Sequence, residues 1–132
     1  FRSKRFIIPR IISAIINSNK KFLNKIIKQN IVMDFSHADD ICNGLIKISL
    51  FKKKIDKIIL SSNNKTYLND IIKFILRKNH INLNLNFNNL RKRNCVIGNN
   101  LLAKKKLHWK IKKNIFIASQ EIYNYKLRKN FN

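Results

Sequence analysis

The side chains able to do chemistry in this 132-residue sequence are mostly cations: 29 Lys and Arg stand against 6 Asp and Glu, a formal net charge of +23. A guanidinium grips phosphate through a planar fork and an ammonium acts as a point charge. Such a balance suits a polyanion, whether nucleic acid, an anionic membrane surface or a phosphorylated substrate. The same excess would follow from an AT-rich genome, because Lys, Ile, Asn and Phe dominate and there are only 2 Gly and 1 Pro. The acids gather between Asn30 and Leu50, where Asp34, Asp39 and Asp40 flank His37. His37, His80, His108, Cys42 and Cys95 show neither metal-ligand spacing nor a Cys-x-x-Cys pair, so no metal is expected. Cys42 reads as a small buried residue of a helix. Tyr125 and Lys129 have the Tyr-x-x-x-Lys spacing in which lysine lowers a phenol's pKa for proton transfer. So Lys-rich a chain produces that pair by chance, and no catalytic residue is assigned.

These groups need elements to hold them. Ser36 and Asp39 have capping-box spacing ahead of a helix whose apolar stripe is Ile41, Leu45 and Ile48, with Asp39 and Asp40 at its positive end. A short extended run precedes it. Pro9 suits the first turn of a helix with Ile8, Ile11, Ile12, Ile15 and Ile16 on one side. Lys20 to Gln29 reads as a basic connector, a loop and edge strand. Ile55 to Ser61 reads as a short parallel strand covered on both faces. Thr66 is the expected N-cap of a helix that buries Leu68, Ile71, Ile72 and Ile75 and ends on Arg77 and Lys78. This strand, turn and helix make one β-α unit. Ile81 to Phe87 alternates apolar residues with Asn and is the strongest strand pattern in the chain. A basic loop follows. Asn99 or Asn100 then caps a short helix through Leu107, burying Leu102, Ala103 and Leu107, with Trp109 as a packing anchor. Ile115 to Leu127 reads as a last amphipathic helix carrying Phe116, Gln120, Tyr123 and Leu127.

The run D-F-S-H-A-D-D-I, Asp34 to Ile41, resembles the R-D-(F/W)-x-H-x-x-D element of nucleotide-sugar epimerases and dehydratases, the extended short-chain dehydrogenase group. Within that group it is most similar to the GDP-mannose 4,6-dehydratases. A second match follows in order: G-N-N-L-L-A-K-K-K-L-H-W-K, Gly98 to Lys110, resembles their G-D-P-x-K-A-x-x-x-L-G-W-K-P. The opening F-R-S-K-R-F-I-I-P-R aligns with their S-P-x-R-x-x-x-F-V-x-x-K-I. The resemblance runs from Phe1 to about Lys126 and corresponds to the C-terminal third or so of such an enzyme. It implies that Arg2 falls on a cofactor-contacting arginine. It also implies substrate-binding roles for Arg10 on the basic residue before the first helix, for Asp34 in the motif, and for Arg91 in a loop that approaches the nucleotide phosphates. Met33 stands where the motif has Arg, His108 where it has Gly, and Lys92 where the loop has Pro.

The expectation is an α/β fold, the C-terminal part of an extended short-chain dehydrogenase (Rossmann-type) fold. It would be a helix-rich substrate lobe with a few short strands, formed by residues 1–132 as one domain. The chain begins with Phe1, and neither of its glycines stands in a glycine-rich turn, so it is expected to be a fragment that is inactive alone. The resemblance implies that an absent N-terminal half binds NADP and carries out the hydride chemistry, converting GDP-mannose to GDP-4-keto-6-deoxymannose. The lobe would hold the nucleoside diphosphate-sugar. A separate Rossmann half or a second copy of the chain is the expected protein partner. Two other readings are an epimerase of the same family and a small basic nucleic-acid-binding protein. The second lacks a zinc finger, an aromatic strand pair or a continuous basic helix face. No apolar run reaches membrane-span length and no signal-peptide pattern is present, so a cytoplasmic location without membrane contact is expected.

Overall fold

Helical spacing of isoleucine and leucine decides most of the architecture. The computed structural model describes residues 6–87 and 93–130. In chain order these form α1 (Ile7–Ile16), α2 (Lys20–Gln29), β1 (Val32–Asp34), α3 (Ala38–Ser49), β2 (Lys65–Tyr67), α4 (Leu68–Lys78), α5 (Leu101–Leu107) and α6 (Ile115–Asn130). Among the described residues there are thus six helices and two strands, and β1 pairs with β2 in a two-stranded sheet. The fold is α-rich α/β. The chain divides into two compact units, the first drawn from Phe1–Val32, Tyr67–Asn94 and Phe116–Asn132, the second from Met33–Thr66 and Cys95–Ile115.

In the first unit α1 packs on α2 and α2 on α4. Ile8, Ile11, Ile12 and Ile15 of α1 are buried as their spacing predicts, and so are Leu68, Ile71, Ile72 and Ile75 of α4. Burial of each such side chain stabilises the fold by about 1.5–3 kcal/mol. The connector expected between Lys20 and Gln29 is instead the helix α2. Leu23, Ile26 and Ile27 recur at i, i+3 and i+4 and are buried, and Asn19 caps the helix by accepting from Phe22 N–H at 3.0 Å. Buried Asn69 of α4 donates from Nδ2 to the Ile27 carbonyl (3.2 Å) and to Asn30 Oδ1 (2.8 Å), tying α4 to the left-handed C-cap of α2. α6 joins through a reciprocal amide pair between Asn79 and Gln120 (3.1 and 2.9 Å), an edge-on contact of Phe116 with Phe74 (centroids 5.3 Å apart), and Lys126 Nζ donating to Ser13 Oγ (2.7 Å).

Both longer strand expectations fail in the same way. Ile81 to Phe87 does alternate, with Ile81, Leu83, Leu85 and Phe87 half-buried and the asparagines between them exposed, yet it joins no ladder. Ile55 to Ser61 is likewise irregular, with Ile59 half exposed rather than covered on both faces. Alternation records that one side of a segment is covered; it does not supply a neighbouring strand. Thr66 is a buried residue of β2, and Tyr67 holds the N-cap position of α4 without a side-chain capping bond to the helix. In the second unit Ala103, Leu107 and Trp109 form the core, packed against Ile41, Ile48, Phe51, Ile55, Ile58, Leu60 and Ile111. Leu45, expected in the α3 stripe, is 56% exposed, and Gly44 occupies the buried side instead. Cys42 and Leu102 also prove exposed. Both lie on the outward sides of their helices, α3 turning Ile41, Gly44 and Ile48 inward and α5 turning Ala103 and Leu107 inward.

Candidate functional site

The second unit is organised by two aspartates. Asp34 ends β1 with its carboxylate half-buried. Its Oδ1 accepts from Ser62 N–H at 3.0 Å and from the Ser62 hydroxyl, and its Oδ2 accepts from Gly98 N–H at 3.0 Å. One side chain therefore joins segments 28 and 64 residues away in sequence. The neighbouring Ser61 hydroxyl donates to the Gly98 carbonyl (2.7 Å), and Asn100 Nδ2 donates to the Ser61 carbonyl (2.9 Å). The loops at 61–62 and 98–100 are thus stitched to each other as well as to Asp34.

Asp40 makes the second junction. It is buried in the first turn of α3, where the carboxylate suits the helix dipole. Its Oδ2 accepts from Lys113 N–H (2.9 Å) and its two oxygens share Lys112 N–H (3.2 and 3.1 Å). The indole Nε1–H of Trp109, fully buried, donates to the Asp40 carbonyl at 2.7 Å. Lys47 Nζ adds a bond to the Leu107 carbonyl (3.1 Å), where a cation meets the C-terminal end of α5. The capping box read from Ser36 and Asp39 does not form. His37 is the N-cap, its Nδ1 accepting from Asp39 N–H at 3.1 Å. The Asp39 carboxylate turns instead to Lys113 Nζ at 2.9 Å. That hydrogen bond, aided by the positive charge of Lys113, holds the Asp39 carboxyl below its ordinary value of 3.8.

Of the side chains with implied site roles, Asp34 lies in this second unit. Arg10 lies in the first, exposed on α1 with its guanidinium 5.1 Å from the centre of the Phe22 ring, a cation–π pair. Arg2 and Arg91 fall outside the described residues. Lys129 Nζ lies over the Tyr125 ring, 5.4 Å from its centre, which gives that pair a packing role. Nothing in residue spacing announced Ser62, Gly98 or the amides of Lys112 and Lys113 as partners of the two aspartates. The one signal available was that Asp34, Asp40, Gly98 and Trp109 all stand in the two resembling runs.

A dinucleotide needs a glycine-rich turn from strand to helix, so that backbone amides can approach the pyrophosphate. Both glycines serve packing. A Cβ on Gly44, inside α3, would lie 2.6 Å from Leu60 Cδ1 and 3.0 Å from Trp109 Nε1, and one on Gly98 would lie 2.5 Å from Ser61 Cβ. The described residues do not fit NADP. Among them, no group of three His, Cys, Asp or Glu could hold a metal ion, and no helix is long and apolar enough to cross a membrane. No family model, curated protein or solved structure matches the chain.

Proposed function

We propose that the chain is a substrate-binding lobe of a nucleotide-sugar dehydratase, of the kind that converts GDP-mannose to GDP-4-keto-6-deoxymannose within an extended short-chain dehydrogenase fold. One observation supports this most. The two resembling runs meet in a single unit, and they meet through the residues that define them: Asp34 accepts from Gly98 across 64 positions, and the Asp40 carbonyl accepts from Trp109 across 69. A chance likeness of two runs gives no reason for their signature residues to bond to each other.

In this reading Asp34 and Asp40 set the loops by which the second unit meets the substrate. The resemblance gives Arg10 and Arg91 the role of cations for the diphosphate. NADP, and Arg2 beside it, belong to a cofactor half, which also supplies the acid–base and hydride chemistry. A separate Rossmann partner or a second copy of the chain completes the site, and the lobe works in the cytoplasm. Alone it turns over no nucleotide sugar. The test is titration of the ¹⁵N-labelled chain with GDP-mannose. Saturable shifts around residues 34, 62 and 98 are expected, and the absence of any GDP-mannose-dependent shift would overturn the proposal.

A further inference from the structure

The first unit is as rich in cations as the second but poorer in acids. Of the 29 Lys and Arg, 17 fall in its sequence segments, against two of the six acids, Asp70 and Glu121. Part of this charge is collected on the outward face of α4. Because Leu68, Ile71, Ile72, Ile75 and Leu76 face the core, Asp70, Lys73, Phe74, Arg77 and Lys78 share the opposite side at helical spacing. These five residues line an open pocket of about 450 Å³. Arg77 and Lys78 are exposed, while Lys73 and Phe74 are half-buried. Phe74 is braced edge-on by Phe116 at 5.3 Å, and Lys73 Nζ lies 4.9 Å from the centre of the Phe87 ring. Three cations around one carboxylate leave the pocket net positive, and the braced ring gives it an apolar floor.

Cations beside an accessible aromatic ring suit a strand of nucleotides: phosphates go to the cations and a base goes to the ring. A duplex turns its base faces inward and cannot use the ring. We propose that the α4 face binds single-stranded nucleic acid, with the backbone along Lys73, Arg77 and Lys78 and a base against Phe74. This site is separate from the nucleotide-sugar reading and does not rest on it.

The test is fluorescence anisotropy of the full chain with a labelled oligouridylate across a range of salt. Each phosphate contact with a single strand contributes about 0.7 to the slope of log affinity against log salt. The variant K73Q/R77Q/K78Q should therefore lose about 2 from that slope and bind on the order of 100-fold more weakly at about 0.1 M salt. The matched variant K104Q/K105Q/K106Q, on exposed lysines of α5 in the second unit, should keep most of the slope. Equal losses in both variants would reduce the binding to diffuse attraction and overturn the site. So would a duplex of the same length binding as well as the single strand, or no binding by the unaltered chain. GDP-mannose binding should be the same in the α4 variant, so that either proposal can fail without the other.

Discussion

Asp34 gives the sharpest test of how the second unit is held. Its carboxylate accepts from the Ser62 amide, the Ser62 hydroxyl and the Gly98 amide, all to one ionised group. A hydrogen bond to a charged partner contributes about 1.5–3 kcal/mol, and a buried donor left without an acceptor adds its own desolvation cost. Asp34 is half-buried, so water can reach part of the vacated space, and Asp34→Ala should cost about 2–4 kcal/mol rather than the full sum. Asp34→Asn keeps one oxygen for the Ser62 donors and sets its NH₂ against Gly98 N–H, donor facing donor; it should cost about half as much. Urea unfolding followed by tryptophan fluorescence suits the question, because Trp109 is the single tryptophan and sits buried in this unit. The exposed pair Lys54–Asp56, 3.4 Å apart with both side chains at least 80% accessible, supplies the control. Asp56→Ala should shift stability by no more than about 0.5 kcal/mol. An Asp34→Ala effect as small as the control would refute the account of Asp34 as the junction of three segments.

Other consequences are open to measurement. Trp109→Phe removes the donor to the Asp40 carbonyl and some packing; it should cost about 1–3 kcal/mol in thermal unfolding, with Asp40→Asn adding less in its presence than alone. Leu23→Ala in α2 should cost about 2–5 kcal/mol by circular dichroism, whereas an exposed connector would tolerate it. The Asp39 carboxyl should titrate below 3.8 by NMR, since its charged form is held by Lys113. Its folded pKa is depressed, so its small contribution is present above the unfolded value and is lost as pH falls through the folded one. Lys113→Ala should move that midpoint back up.

Helices were largely legible because side-chain spacing and burial share one cause: α1 and α4 follow their isoleucine and leucine repeats, whereas α6 forms where expected but buries Ala118 and Ser119 beside Tyr123. α2 was hidden by composition. Its lysines suggested a loop, although Leu23, Ile26 and Ile27 already had helical spacing and Asn19 a cap's chemistry. The strand readings at 55–61 and 81–87 failed for a different reason. Alternation predicted which side chains of Ile81 to Phe87 are covered, but a ladder is a relation between two segments and the period of one cannot reveal it. The aspartate junctions were invisible on the same ground, being contacts across 28 to 73 positions. His37 replaced Ser36 as the cap because an imidazole nitrogen can accept an amide proton as a hydroxyl oxygen does, and preference alone does not decide between adjacent candidates.

The proposed role is tested most directly by competition between GDP-mannose and inorganic pyrophosphate for the purified chain at matched ionic strength. With a net charge of +23 the chain will attract any diphosphate, so attraction alone says little. A substrate lobe should bind GDP-mannose at least tenfold more tightly than pyrophosphate and should keep that preference as salt rises. Equal affinity for the two, falling together with added salt, would contradict it.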